Sequence, residues 1–265
     1  MEENKDNNVK STIDAITGLA NAVPIYQDAV QPAAKEIGKS LATVTKTVNI
    51  ALAPIKALVW GYEKIEVYLT KRVSEKLEGI PEENIITPPP HIAGPAVEAL
   101  RFTGENENLR ELYASLLAVS MNRDTTDKAH PSFVEIIKNL SSNEALILKE
   151  FINVNSIAKI DIEQKQTEGK ITRAKNFTLL HKNTKIDVNN IPIYLDNLQR
   201  LGIIEIIRDQ YFSDDSEYEI LRSDIALRNL IKDIQSQNCE VDFKKGFIEL
   251  TSFGRDFVRN VVAME

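Results

Sequence analysis

The chain has 265 residues, roughly one to two domains' worth, and a hydrophobic content of 43% supplies a real core. A net charge of −7 argues against a dedicated nucleic-acid binder, which carries a basic face. A single cysteine, Cys239, excludes an intrachain disulfide and cysteine-rich zinc sites, and fits a reducing cytoplasm.

Residues 1–10, MEENKDNNVK, are polar and mixed in charge. They read as disordered, with no apolar core for a secretory signal. No stretch reaches the length of about 18 apolar residues that a membrane span needs. From Ser11, the residues Ile13, Ile16, Leu19 and Ala20 recur at helical spacing until Pro24 and Pro32 interrupt them.

A longer pattern follows. Ile37, Leu41, Val44, Val48, Leu52, Ile55 and Val59 form a helical stripe about 80° wide. The pattern continues through Tyr62, Ile65, Leu69, Val73, Leu77 and Ile80. So narrow a seam is what a helix packed along another helix displays. Pro54 should kink or divide it. Residues 37–62 contain no Asp or Glu, but carry Lys39, Lys46 and Lys56, with Trp60 and Tyr62 near the end. That set also suits a helix lying in a membrane surface, so these five residues are the candidate membrane or partner surface.

PPPHIAGP (88–95) reads as a stiff connector, with Gly94-Pro95 opening a short helix over residues 96–102. A second helix is expected over 107–121, with Leu109, Leu112, Leu116 and Val119 on one face. In AHPSFVEIIKNLSSNEALIL (129–148), Pro131 opens a helix and Phe133, Ile136, Ile137 and Leu140 give it a face. Ser141 and Glu144 spell a capping box for the next helix. His130 therefore sits at a helix entry, in a capping or packing role.

From residue 156 the periodicity changes. IAKIDIEQ and ITRAKNFTLLHK hold short β-like segments. YLDNLQRLGIIEII is a helix ended by glycine and followed by a strand. GFIELTSFGRDFVRNVV is a strand over 247–250, then a helix from Thr251 or Ser252. This is winged-helix syntax, with residues 216–240 as an insertion that includes one helix. The expected architecture is mainly α. An elongated helical module (11–155) precedes a winged-helix-like α/β module (156–265).

Several phrases in order are PIKALVWGYEKIEVYL (54–69), IAGPAVEALRFT (92–103), LRELYASLLAVSM (109–121), residues 129–148 above, and YLDNLQRLGIIE with IELTSFGRDFV. Together they resemble the abortive infection alpha (Abi-alpha) family over residues 30–262. The resemblance implies a bacterial protein linked to phage defence and carries over no active residues.

The chemistry in the chain is sparse. Asp214, Asp215 and Glu217 lie in the loop SDDSEYE, which reads as a solvated turn rather than a metal-dependent nuclease centre. Neither Arg123 with His130 nor Arg173 with His181 has the helical spacing of a HEPN-type ribonuclease. No phosphate-binding glycine loop occurs. In the winged-helix reading, Asp187, Asp196 and Arg200 leave the second helix without net positive charge. Asn189, Asn190, Asn197 and Gln199 could touch bases, and Lys244 and Lys245 a backbone.

No catalytic residue, cofactor or metal ligand is assigned. The expectation is a non-enzymatic phage-defence effector or interaction component. It would be cytoplasmic, with a peripheral contact at the inner membrane and a protein partner or second copy rather than nucleic acid. The alternative is a winged-helix transcription regulator with a helical sensing or dimerising module.

Overall fold

A computed structural model describes residues 41–58 and 65–264. The expected disorder at 1–10, the helix beginning at Ser11, and Ile37, Lys39, Val59, Trp60 and Tyr62 lie outside these residues. The chain is mainly helical and forms two compact units: residues 1–139 with 264–265, and residues 140–263.

In the first unit, α1 (Leu41–Leu58) and α2 (Glu66–Lys76) pack together. Thr70 Oγ1 donates to Asn49 Oδ1 at 3.1 Å, and Lys56 pairs with Glu66, so the two helices run antiparallel. The seam read from sequence is thus two halves of one hairpin. Val44, Val48, Leu52 and Ile55 of α1 are buried with Leu69 and Val73 of α2. Pro54 does not divide α1, which continues to Leu58. The carbonyl that Pro54 leaves without a helical partner belongs to Ile50, an exposed residue on the solvent side of α1.

Residues 88–95 correct the sequence reading. The helix α3 (Pro90–Thr103) starts at Pro90, not at residue 96, and Pro95 lies inside it. Pro95 and the residue four before it, His91, are both exposed, so the missing hydrogen bond falls on the wet face. The opposite face buries Ile92, Ala93, Ala96, Val97 and Leu100, which outweighs one lost bond.

Helix α4 (Glu107–Met121) opens on Asn106, whose side chain accepts from Leu109 N at 3.3 Å. Every residue from 112 to 121 is buried, so the helix has no solvent face after Glu111. The sequence reading gave it only one apolar face. Ala114, Ser115, Ala118 and Ser120 explain the difference: they are small enough to be covered on the other side. Helix α5 (Ser132–Lys138) completes the unit.

The second unit starts with α6 (Ser142–Lys149), a helix that the sequence reading grouped with the N-terminal module. Its capping box is formed as read: Ser141 Oγ accepts from Glu144 N, and Glu144 Oε2 from Ser141 N. The antiparallel sheet follows, in the order β2-β1-β4-β3. Its strands are β1 (Ser156–Lys165), β2 (Lys170–Phe177), β3 (Ile204–Ile207) and β4 (Val241–Leu250). Helices α7 (Leu180–Thr184) and α8 (Ile191–Arg200) join β2 to β3. Between β3 and β4 stand two helices rather than the one expected, α9 (Ser216–Ser223) and α10 (Ile225–Ser236).

The register sorts the side chains onto two faces. Ala158, Ile160 and Ile162 point to the face covered by Tyr218 and Leu221 of α9 and Leu227 and Ile234 of α10. Ile157, Lys159, Asp161 and Glu163 share the other face with Ile248, Gly246, Lys244 and Asp242. Thr251 then caps α11 (Ser252–Phe257), which runs into a wider π-type turn, Val258–Val262. Gly254 is obligatory there, since a Cβ would stand 1.9 Å from the Ile203 carbonyl oxygen.

Phe257 is fully buried, while Phe253 is only half-buried. Phe257→Ala is expected to cost about 3–5 kcal/mol. Thermal unfolding of the folded variant measures it, and an unchanged midpoint would contradict this account of the core.

Candidate functional site

The sequence candidates fare differently. Lys39, Trp60 and Tyr62 lie outside the described residues. Lys46 is exposed on α1. Lys56 is half-buried, donates to Asn49 Oδ1 at 3.3 Å and pairs with Glu66, the first residue of α2. Its charge is answered just beyond the acid-free interval. Among the described residues no helix is long and apolar enough to cross a membrane.

His130 is at a helix entry, as read. Its Nδ1 accepts from Ser132 N at 3.1 Å, and its ring lies 5.8 Å from that of Phe133. His181 is held differently. Nδ1 is 3.0 Å from the Thr178 carbonyl, and Nε2 is 3.4 Å from Asp224 Oδ2. Asp224 is buried. Its Oδ1 caps α10 through Ala226 N at 2.9 Å, and Lys182 approaches Oδ2 at 2.9 Å. Burial alone would raise the Asp224 carboxyl, but the Lys182 and Ala226 hydrogen bonds and the His181 charge hold it low. The cluster ties α7 to the start of α10.

The acidic loop is not a free carboxylate cluster. Asp214 accepts from Ser216 N at 2.9 Å at the opening of α9, while Asp215 pairs with Arg222 at 3.1 Å and also with Lys245. The sequence reading of a solvated turn missed this helix start. Among the described residues no group of three or more His, Cys, Asp or Glu could hold a metal ion.

The polar side chains of α8 are also engaged. Asn197 Nδ2 donates to Glu144 Oε1 at 2.6 Å, and its Oδ1 accepts from Arg200. Asn143 Nδ2 donates to Tyr194 OH at 2.7 Å. Lys244 pairs with Glu163 at 2.7 Å.

Two ionic clusters escaped the sequence reading. The first joins α2 to α4. Arg72 grips Glu111 with two bonds of 2.7 Å, Tyr68 OH donates to Glu111 Oε1 at 2.6 Å, and Lys76 stands 3.5 Å away. Arg110 covers the Tyr68 ring at 4.6 Å. Burial would push Glu111 up. The hydrogen bonds from Arg72 and Tyr68 and the charges of Lys76 and Arg72 win, and hold it at about 2. Burial and the same carboxylate push the Tyr68 phenol well above its ordinary value. No local signal connects residues 39 apart in sequence.

The second cluster is Lys159 with Asp161. The Lys159 side chain is wholly buried, with Nζ 2.6 Å from Asp161 Oδ2, and Asp161 Oδ1 accepts from Asn176 N at 2.7 Å. Gly246 makes the room, since a Cβ there would stand 2.6 Å from Lys159 Cε. Burial lowers the Lys159 amine, the Asp161 pairing works against that, and the charges of Arg208 and Lys244 lower it further. The signal was present in IAKIDIEQ, where charges alternate with apolar residues along one strand.

Two outcomes follow. Glu111 is ionised more readily folded than unfolded, so its contribution is present above its ordinary 4.5 and lost as pH falls from there toward about 2. Glu111→Gln is expected to remove about 2 kcal/mol at neutral pH and to flatten the acid limb in that window. Identical acid unfolding profiles for variant and wild type would refute this. Lys159 is protonated less readily folded than unfolded, so below its ordinary 10.5 the buried charge opposes folding. Replacing the pair together, Lys159→Met/Asp161→Leu, is therefore expected to be neutral or stabilising, while Asp161→Ala alone costs about 3–5 kcal/mol by stranding the amine. Denaturant melts decide, and the reverse order would contradict the assignment.

Comparison with known proteins gives three results. The profile of the family described as Abortive infection alpha matches residues 61–261. No curated protein matches the chain. A solved structure, an uncharacterized protein from the hydrocarbon-degrading marine bacterium Alcanivorax borkumensis SK2, shares 14% identity with a TM-score of 0.33. That alignment covers 51% of this chain and 92% of the other.

Proposed function

The chain belongs to the abortive infection alpha family, and on that premise we propose that it is a bacterial phage-defence effector that acts by contact, not catalysis. The observation that carries the defence reading is the family match across residues 61–261. The contact reading draws on the side chains. Several side chains that sequence weighed as reactive groups are engaged in caps and ion pairs that hold helices together: His130 at α5, His181 against Asp224 at α10, Asp215 at α9. The cytoplasm, with a peripheral place at the inner membrane, is the compartment that suits such an effector.

A second reading has one feature in its favour. The succession α6, β1, α7, α8, β3, β4, with β4 between β1 and β3, supports a winged-helix-like reading, in which β2 and the α9–α10 insertion would be additions. A transcription regulator would use such a module on DNA. Against that use, Asn197 and Tyr194 of α8 are spent on α6, and Lys244 and Lys245 on Glu163 and Asp215. We read the module as winged-helix-like and as a contact surface for protein.

The defence reading is tested by plating phage on cells that express the chain, where reduced plaque formation is expected and undiminished plating would contradict it. The DNA alternative is tested with purified protein and duplex from its own upstream region. No binding at sub-micromolar concentration in near-physiological salt is expected, and tight salt-sensitive binding would favour the regulator.

A further inference from the structure

We infer that the outer face of the α1–α2 hairpin docks on an anionic lipid bilayer, with Ile50, Ala53 and Val67 entering the headgroup layer and Lys46 and Lys71 meeting its charge. The inference rests on the effector reading above and names its partner class.

Lys46, Ile50 and Ala53 follow one another at spacings of four and three, so they share one side of α1. That side lies opposite the buried row of Val44, Val48, Leu52 and Ile55. On α2, Val67 is 80% exposed, and the Lys71 side chain is 73% exposed. Thr45 and Asn49 of α1 line one shallow groove with Glu66, Val67, Thr70 and Lys71 of α2, so the two helices present a continuous surface. This face differs from the seam that sequence suggested. The seam is closed inside the hairpin, whereas the outer face is exposed among the described residues.

Charge selects the occupant. Helix α1 contains no Asp or Glu. The nearest carboxylates on α2 are already paired, Glu66 with Lys56, and Glu75 with Arg72 and, at 3.9 Å, with Lys71. The face is therefore cationic in a chain whose net charge is −7. An anionic surface repels the rest of the molecule and attracts this hairpin, which fixes the orientation of approach. A bilayer also accepts separate apolar side chains without a shaped pocket, as Val67 and Ile50 require. With two lysines and three apolar groups, docking is weak and reversible, and each lysine changes partitioning about fivefold.

The test is flotation of the full chain with excess phosphatidylcholine vesicles, with and without phosphatidylglycerol. The wild type is expected to float with the anionic vesicles alone, and less so in high salt. Lys46→Glu/Lys71→Glu is expected to lower partitioning at least about tenfold. Val67→Ser, a surface change with the melting temperature as control, should lower it too. A wild type that floats with neither vesicle, or a charge-reversed variant that floats as well as wild type, overturns the inference. Phage plating separates the two readings. Protection without flotation removes the lipid partner and leaves the defence role, and flotation without protection does the opposite. Protection lost in the charge-reversed variant of a chain that never floats assigns the face to a protein instead.

Discussion

Ten consecutive residues of α4, from 112 to 121, are buried. A helix without a wet face must be enclosed on every side, and the first unit is arranged to do this. Helices α2, α3 and α5 all pack on α4. The segment after α2 is fastened to its end, with Ile86 N donating to the Met121 carbonyl at 2.8 Å and Arg123 N to that of Asn84 at 2.8 Å. The burial has a polar boundary. Glu111 is the last residue of α4 before the enclosed run, and there Arg72, Tyr68 and Lys76 gather. A bidentate guanidinium–carboxylate pair fixes rotation as well as distance, which pure apolar packing does not. It sets which face of α2 meets α4, and hence where the outer side of the α1–α2 hairpin points.

The second unit meets the same demand with a sheet. Strand β1 is buried from Ala158 to Gln164, so both of its faces need a cover. The α9–α10 insertion supplies one, which makes it part of the core rather than an appendage. The other face turns from apolar at Ile157 and Ile248 to ionic at Glu163 and Lys244, with Lys159 at the changeover. A fully buried amine is a cost to stability, tolerated because Asp161 and the gap above Gly246 hold it in one place.

What was legible in sequence was local. The Ser141–Glu144 capping box, the entry at Pro131 and the β4-to-α11 junction each depend on a few adjacent residues, and each formed as read. Gly202, at φ +71°, ends α8 as expected. What failed was a local rule overruled by burial. The sequence reading has Pro54 kink or divide its helix and Pro95 open one, yet α1 runs on past Pro54 and α3 starts before Pro95, each lost bond facing water while the other side of the helix is sealed. What stayed hidden was pairing at a distance: Arg72 with Glu111, Lys182 with Asp224, Asn197 with Glu144. The candidate surface was half legible. The acid-free, lysine-bearing run was visible, but which side of α1 is free depends on the return of α2, which periodicity does not reveal.

For this member of the abortive infection alpha family, action through a surface is the proposal to test. The most direct measurement follows bacterial cultures infected at low and at high phage-to-cell ratios. They would express either the wild-type chain or one without imidazoles (His91→Asn, His130→Asn, His181→Gln). If the protein acts by contact, both chains spare the culture at the low ratio and both cultures collapse at the high ratio. Full loss of protection in a folded imidazole-free chain would contradict the account and return attention to catalysis.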